Sequence, residues 1–271
     1  MADNSGRSAG RSVTSKVTAI LDAFLPSSSE LSLNALADRA DLPLSTAYRL
    51  ATELVEWGGL ERVDGRGYRI GLHLWEVGSR ATKSATVGAV AQPYMQDLYE
   101  ATHENVQLAV LQGHEALYVE KITGRRAITV KTRRGGRLPL HATGVGKALL
   151  AHAPDGLFEE IVAAGLKRYT AHTIVAPGHL RRALAEVRRT GIAYAREEMT
   201  LGSVSVAAPL FDSEGRAIAA MSIVMRSTRA DVKRLALAVR TASICASRAL
   251  RDSALELQPY PLQTQGAATS G

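Results

Sequence analysis

The feature that most constrains this chain is a pair of short amphipathic runs joined by a tight turn, with a hairpin signal directly behind them. The first run opens at Ser32, whose hydroxyl can accept from an otherwise unpaired backbone N–H. Its apolar residues Leu33, Leu36, Ala37 and Ala40 fall on one face of a helix of about nine residues. Asp41-Leu42 makes the turn, and Pro43 is placed at the first position of the next helix, where no N–H is needed. Ala47, Leu50, Ala51 and Leu54 give that helix its inward stripe, and Trp57-Gly58-Gly59 ends it because glycine permits a left-handed backbone. Upstream, Val13, Val17, Ile20, Leu21 and Phe24 line one face of a preceding helix, which Pro26 and Ser27-Ser28-Ser29 stop. Downstream, residues 60–63 and 68–70 read as strands joined by Asp64-Gly65-Arg66-Gly67. A short helix, a turn, a longer helix and a β-hairpin make a winged helix-turn-helix.

Between the inward positions, Ser45, Thr46, Tyr48 and Arg49 stand at the exposed front of the third helix. Hydroxyls bond phosphate or base edges, and Arg addresses guanine O6 and N7 with two parallel bonds, so these four are the candidate DNA contacts. Arg66 at the hairpin tip and Arg62 beside it join them. The polar head, residues 1–12, reads as a disordered arm carrying Arg7 and Arg11, and such arms can enter a minor groove. The competing reading is a helical association module whose polar residues are merely solvated. Global charge does not separate the two. The chain carries +7, yet residues 1–80 hold nine basic side chains against ten acidic ones. The densest basic cluster, Arg125, Arg126, Lys131, Arg133, Arg134 and Arg137, lies further on and reads as a solvated or subunit-contacting face.

Beyond the hairpin, residues 72–90 read as a helical connector with Leu72, Leu74, Trp75 and Val77 as its apolar part, and residues 91–102 as a further helix. Strands are expected at 106–111, 117–122, 128–131, 203–209 and 217–224, helices at 146–151 and about 180–190, and a final amphipathic helix at 231–250. Strands interrupted by helices indicate an α+β domain. The tail, residues 252–271, reads as disordered. No stretch of 18 apolar residues and no leader pattern occurs, which points to a soluble cytoplasmic protein with no membrane partner.

The chemistry-bearing residues fail the usual tests for an enzyme. The single Cys245 closes no intramolecular disulfide, excludes zinc sites built on two thiolates, and sits in the last helix as a packing residue. The seven His show no H-x-x-x-H spacing, so no metal or other cofactor is called for. Gly144-Val145-Gly146-Lys147 is not a phosphate loop, because His141 stands where its first glycine belongs and Ala148 where its Ser or Thr belongs. Thr143, Gly144 and Val145 remain at a helix start, where N–H groups favour an anion such as a carboxylate. Glu197 and Glu198 would point to opposite sides of an extended chain. No catalytic constellation emerges, and the chain is read as a non-enzyme.

Four segments carry a family resemblance. They are residues 36–50, Leu-Ala-Asp-Arg-Ala-Asp-Leu-Pro-Leu-Ser-Thr-Ala-Tyr-Arg-Leu; Tyr68-Arg69-Ile70-Gly71; residues 138–150, Leu-Pro-Leu-His-Ala-Thr-Gly-Val-Gly-Lys-Ala-Leu-Leu; and Glu197-Glu198 followed by Gly202 and Ala207-Ala208-Pro209. In order and spacing they resemble the IclR family of bacterial transcriptional regulators over about residues 13–250. The resemblance implies a DNA-binding domain at 13–71, a connecting helix at 72–90 and a GAF-like α/β effector-binding domain at 91–251. Its implied partners are a double-stranded DNA operator, a small organic acid effector, and further copies of the chain as a homodimer or a tetramer of paired dimers. The effector pocket it implies falls on Leu138, Ala142, Thr143, Gly144, Val145, Ala195, Ser203, Ser205, Ser222 and Val224. Ser205 stands where many relatives carry Cys, Val224 where a second Ser often occurs, and Ala195 where some have Asp. A pocket with fewer placed polar groups suits a larger, partly apolar or aromatic acid. The alternative kept beside this reading is a GAF-like binding or catalytic protein whose N-terminal unit mediates association.

Overall fold

The computed structural model describes residues 11–25, 30–63, 67–79, 82–124, 128–130 and 132–253. The chain divides into two compact units between Thr82 and Lys83.

In the first unit, α1 (Val13–Asp22) is capped by Ser12, whose Oγ accepts from Ser15 N at 3.1 Å. Arg11 donates to Ala40 O at 3.0 Å and to Ser15 O at 3.2 Å, so this end of the polar head is tied to the helices rather than loose. Arg7 lies outside the described residues. Helix α2 (Leu33–Ala40) starts at the expected cap, Ser32 Oγ accepting from Ala35 N, and closes at Asp41 with a left-handed φ of 52°. Helix α3 (Leu44–Glu56) begins one residue later than the sequence suggests. Pro43 has an extended ψ of 142° while its carbonyl already accepts from Ala47 N, which makes it the cap and not the first helical residue. Ala47, Leu50, Ala51 and Leu54 are buried against Ile20, Phe24, Leu36 and Leu60 in one core.

Strands β2 (Leu60–Val63) and β3 (Gly67–Ile70) pair antiparallel as the expected hairpin, and β1 (Leu31–Ser32) adds a third strand beside β3 through Leu31↔Tyr68. The hairpin tip, including Arg66, lies outside the described residues. Gly71 N donates to Gly59 O at 2.8 Å, and a Cβ at Gly71 would run into the Gly58 carbonyl, so glycine is what lets β3 close onto the end of α3. Helix α4 (Leu72–Ser79) follows.

The second unit runs α5 (Thr82–Thr102), β4 (Asn105–Gln112), β5 (Glu115–Ile122), β6 (Arg137–Pro139), α6 (Gly144–Leu150), α7 (Leu157–Ala163), α8 (Pro177–Thr190), β7 (Ala193–Arg196), β8 (Ser203–Phe211), β9 (Ala217–Arg226) and α9 (Val232–Asp252). Its sheet has the order β6-β5-β4-β9-β8-β7, with every neighbouring pair antiparallel. The two-residue period of a strand assigns the layers. Val204, Val206, Ala208 and Leu210 of β8, with Met221, Ile223 and Met225 of β9, turn to one face, which α5 and α9 cover. Ala207, Ala220 and Tyr118 turn to the other, under α6, α7 and α8.

Two expectations are corrected here. The boundary between two helices at 90/91 does not exist: α5 crosses it because Val87, Ala91, Met95 and Leu98 form one buried stripe. Residues 128–130 form no strand, and Lys131 lies outside the described residues. On its outer side β5 pairs with β6, which the sequence does not announce, since Arg-Leu-Pro at a sheet edge has neither length nor alternation. Strand β7 and helix α7 are likewise too short to stand out from their pattern alone.

Candidate functional site

On α3, Ser45, Tyr48 and Arg49 project outward and Thr46 is half-buried. Arg49 Nη1 reaches Glu53 Oε1 at 2.7 Å one turn on, with both side chains more than half exposed, so the guanidinium is held on the helix surface. Arg62 of β2 lies over two aromatic rings, 5.8 Å from the Tyr48 centroid and 5.6 Å from that of Tyr68. Hydrogen bonding with Tyr48, aided by the neighbouring Tyr68, raises its pKa above the ordinary guanidinium value, and its charge is permanent. Tyr48 and Arg62 thus meet in an open groove that Ser32, Leu33 and Asn34 also line. Asn34 is a polar group on this face that the sequence pattern did not single out. The front of α3 and the hairpin therefore present hydroxyl, phenol, amide and guanidinium groups on one side of the unit.

The second unit contains a pocket with about 410 Å³ of space between atoms, part of it open to solvent. Eight of the ten residues implied by the resemblance line it: Leu138, Ala142, Thr143 and Gly144 from β6 and the start of α6, and Ala195, Ser203, Ser205 and Val224 from β7, β8 and β9. The remaining two are displaced inward. Val145 is 1% exposed and packs with Ala148 and Leu149 in the core beneath α6. Ser222 is fully buried; it pairs in register with Ala207, and Gly144 sits so close over Ser205 and Ala207 that α6 covers the Ser222 position.

The pocket also takes in residues absent from the expected set. Gln107 interrupts the apolar run of β4, and its Nε2 donates to Thr132 Oγ1 at 2.6 Å. An amide within the buried part of a strand is the one sequence signal that could have found it. Tyr118 is 2% exposed; burial pushes its phenol pKa upward, and a hydrogen bond with Thr143 opposes the shift. Thr143 itself donates to Pro139 O at 3.0 Å and accepts from Gly146 N at 3.1 Å, which fixes the first turn of α6.

Glu198 lines the pocket as well, and its partner resolves the Gly144-Val145-Gly146-Lys147 motif. Lys147 is 1% exposed and donates to Glu198 Oε1 at 2.5 Å and to Tyr194 O at 3.0 Å. An inward lysine cannot serve as a phosphate-binding group, so the structure agrees with the rejection of a nucleotide loop. Burial lowers the Lys147 pKa, while the charge and hydrogen bond of Glu198 oppose that shift. Glu197 and Glu198 do diverge, through a left-handed φ of 57° at Glu197. Glu197 accepts from Gly202 N at 3.1 Å; this bond, helped by Ser227, holds its carboxyl below the usual range. Among the described residues no group of three or more His, Cys, Asp or Glu is placed to hold a metal, and no helix is long and apolar enough to cross a membrane.

A winged helix-turn-helix with a polar, cation-bearing face, followed by an α/β domain with its own pocket, defines a DNA-binding transcriptional regulator that senses a small molecule. Residues 13–64 match the IclR helix-turn-helix domain and residues 79–249 the bacterial transcriptional regulator IclR C-terminal domain, so the chain belongs to the IclR family. It is 35% identical to the transcriptional repressor IclR of Escherichia coli over 75% of this chain and 76% of that one. The regulator XynR of the same organism is 32% identical over 85% of this chain and 94% of its own length. Among solved structures, an IclR homolog from Microbacterium hydrocarbonoxydans, complexed with 4-hydroxybenzoate, superposes with a TM-score of 0.85 at 33% identity, covering 89% of this chain and all of that one.

Proposed function

We propose that this regulator reads its operator with Ser45, Thr46, Tyr48 and Arg49 of α3 in the major groove, while Arg62 and Arg66 of the hairpin grip the adjacent backbone or minor groove. The observation that carries this is the single exposed face shared by the front of α3 and Arg62, with Tyr48 and Arg62 in contact. A homodimer, or a tetramer of two such dimers, presents two recognition helices to successive major grooves of a partly palindromic site. The effector is a small, partly apolar or aromatic acid. Tyr118, Leu138, Met199 and Val224 supply apolar walls and Thr143, Ser203 and Ser205 the hydroxyls, and a similar protein is complexed with 4-hydroxybenzoate. Its binding biases the helix separation through unequal affinity for the DNA-competent and DNA-incompetent arrangements.

The test is fluorescence anisotropy on the DNA upstream of the protein's own gene, with random DNA as competitor. Arg49→Ala is expected to weaken operator binding by about 1–3 kcal/mol, roughly 5- to 150-fold, and random DNA much less. Equal loss on both would make Arg49 a phosphate contact, and no difference between operator and random DNA for the wild type would overturn the proposal.

A further inference from the structure

The pocket lining includes a buried carboxylate whose bonding is incomplete. Glu198 has a side chain only 6% exposed, and its Oε1 is occupied by Lys147 Nζ at 2.5 Å and by Arg196 N at 3.3 Å. Its Oε2 is buried with no hydrogen-bond partner among the described residues. Three other polar groups of the lining are by contrast already engaged: Gln107 with Thr132, Ser203 Oγ with Thr200 O at 2.6 Å, and Thr143 with Pro139 O. Glu198 is also the only charged residue lining the pocket among those described, for no Lys, Arg or His shares the wall. A buried acceptor without a donor is costly, and the cost is greater for a carboxylate oxygen than for a neutral one. The protein supplies donors to one oxygen of this pocket-lining residue and none to the other.

We infer that Glu198 is a specificity residue that selects effectors carrying a hydroxyl or amino hydrogen-bond donor besides their acid group. The inference rests on the acid-sensing reading above and narrows it: the effector class becomes hydroxylated or amino-substituted aromatic acids rather than aromatic acids at large. Lys147 acts here as a positioning residue. By holding Oε1 it fixes the carboxylate plane and balances its charge, so that an anionic ligand can approach and Oε2 acts as a directed acceptor. A site built around such an acceptor discriminates strongly against an analogue that lacks the donor, because the buried oxygen is then left unpaired.

The test is calorimetric titration of the full-length protein with benzoate, 4-fluorobenzoate, 3-hydroxybenzoate and 4-hydroxybenzoate. One of the two hydroxy acids is expected to bind at least about tenfold more tightly than both compounds without a donor. In Glu198→Gln the amide oxygen is drawn to Lys147 and the NH2 faces the ligand, replacing an acceptor by a donor, and the preference should fall to within about threefold. A change in selectivity of this kind is not produced by a merely structural role. If the variant fails to fold, the wild-type ranking still decides. Equal affinity for acids with and without a donor overturns the inference and leaves the acid-sensing reading standing; binding of none of the four overturns both.

Discussion

Replacing Lys147 by Met tests whether the buried ion pair holds the second unit together. The substitution keeps most of the apolar stem and removes only the ammonium. It leaves the Glu198 carboxylate, 6% exposed, with Arg196 N at 3.3 Å as its remaining protein donor, and strips Tyr194 O of its own. Breaking a buried pair from one side typically costs about 3–5 kcal/mol, because the surviving charge is trapped without compensation. That is a large share of the roughly 5–15 kcal/mol that holds an ordinary domain folded. At roughly 2–4 °C per kcal/mol for a unit of about 190 residues, the melting temperature should fall by about 6–20 °C. Scanning calorimetry or far-UV circular dichroism is the appropriate readout. Trp57 and Trp75 both belong to the first unit, so tryptophan fluorescence reports on that unit and localises the loss by comparison. The double variant Lys147→Met/Glu198→Leu, which removes both charges, should recover to within about 1–2 kcal/mol of the wild type. A drop of less than about 2 °C for the single variant would mean that the pair contributes almost nothing, and the reasoning from burial would be wrong.

Two further outcomes follow from the same region. Burial lowers the His141 pKa below its ordinary 6.5, the Lys147 charge adding to this while the Lys167 carbonyl and Glu198 oppose it. The unfolded chain therefore takes up the proton first as pH falls, and stability should drop from pH 6.5 downward to the folded-state value and then level off. Urea midpoints measured between pH 8 and 5 should show a shallower decline in His141→Gln, and an unchanged slope would refute the assignment. Gly144→Ala places a methyl against Ser205 and within 3.3 Å of the Ala207 Cβ, which pushes the start of α6 off the sheet. It should cost about 1–3 kcal/mol of stability and weaken binding of the aromatic acid titrated above, whereas wild-type melting and affinity would show that the sheet yields there at no cost.

Local pattern alone determined much of the first unit. The apolar spacing of α1, α2 and α3, the Ser32 cap, the Gly58 stop and the pairing of residues 60–63 with the strand behind them depend on contacts within a few residues. Such contacts are written in the order of the side chains. The eight expected residues that line the pocket were legible only through resemblance, since their own pattern announces no cavity. Tertiary structure decided the rest. Strand β1 exists because Leu31 finds Tyr68, the unbroken α5 because one stripe meets the sheet, and the burial of Ser222 and Val145 because α6 lies close over β8 and β9. The role of Lys147 was hidden for the same reason. Its carboxylate partner lies 51 residues further along the chain, and only the folded sheet brings the two within hydrogen-bond distance, in a place dry enough for that contact to matter.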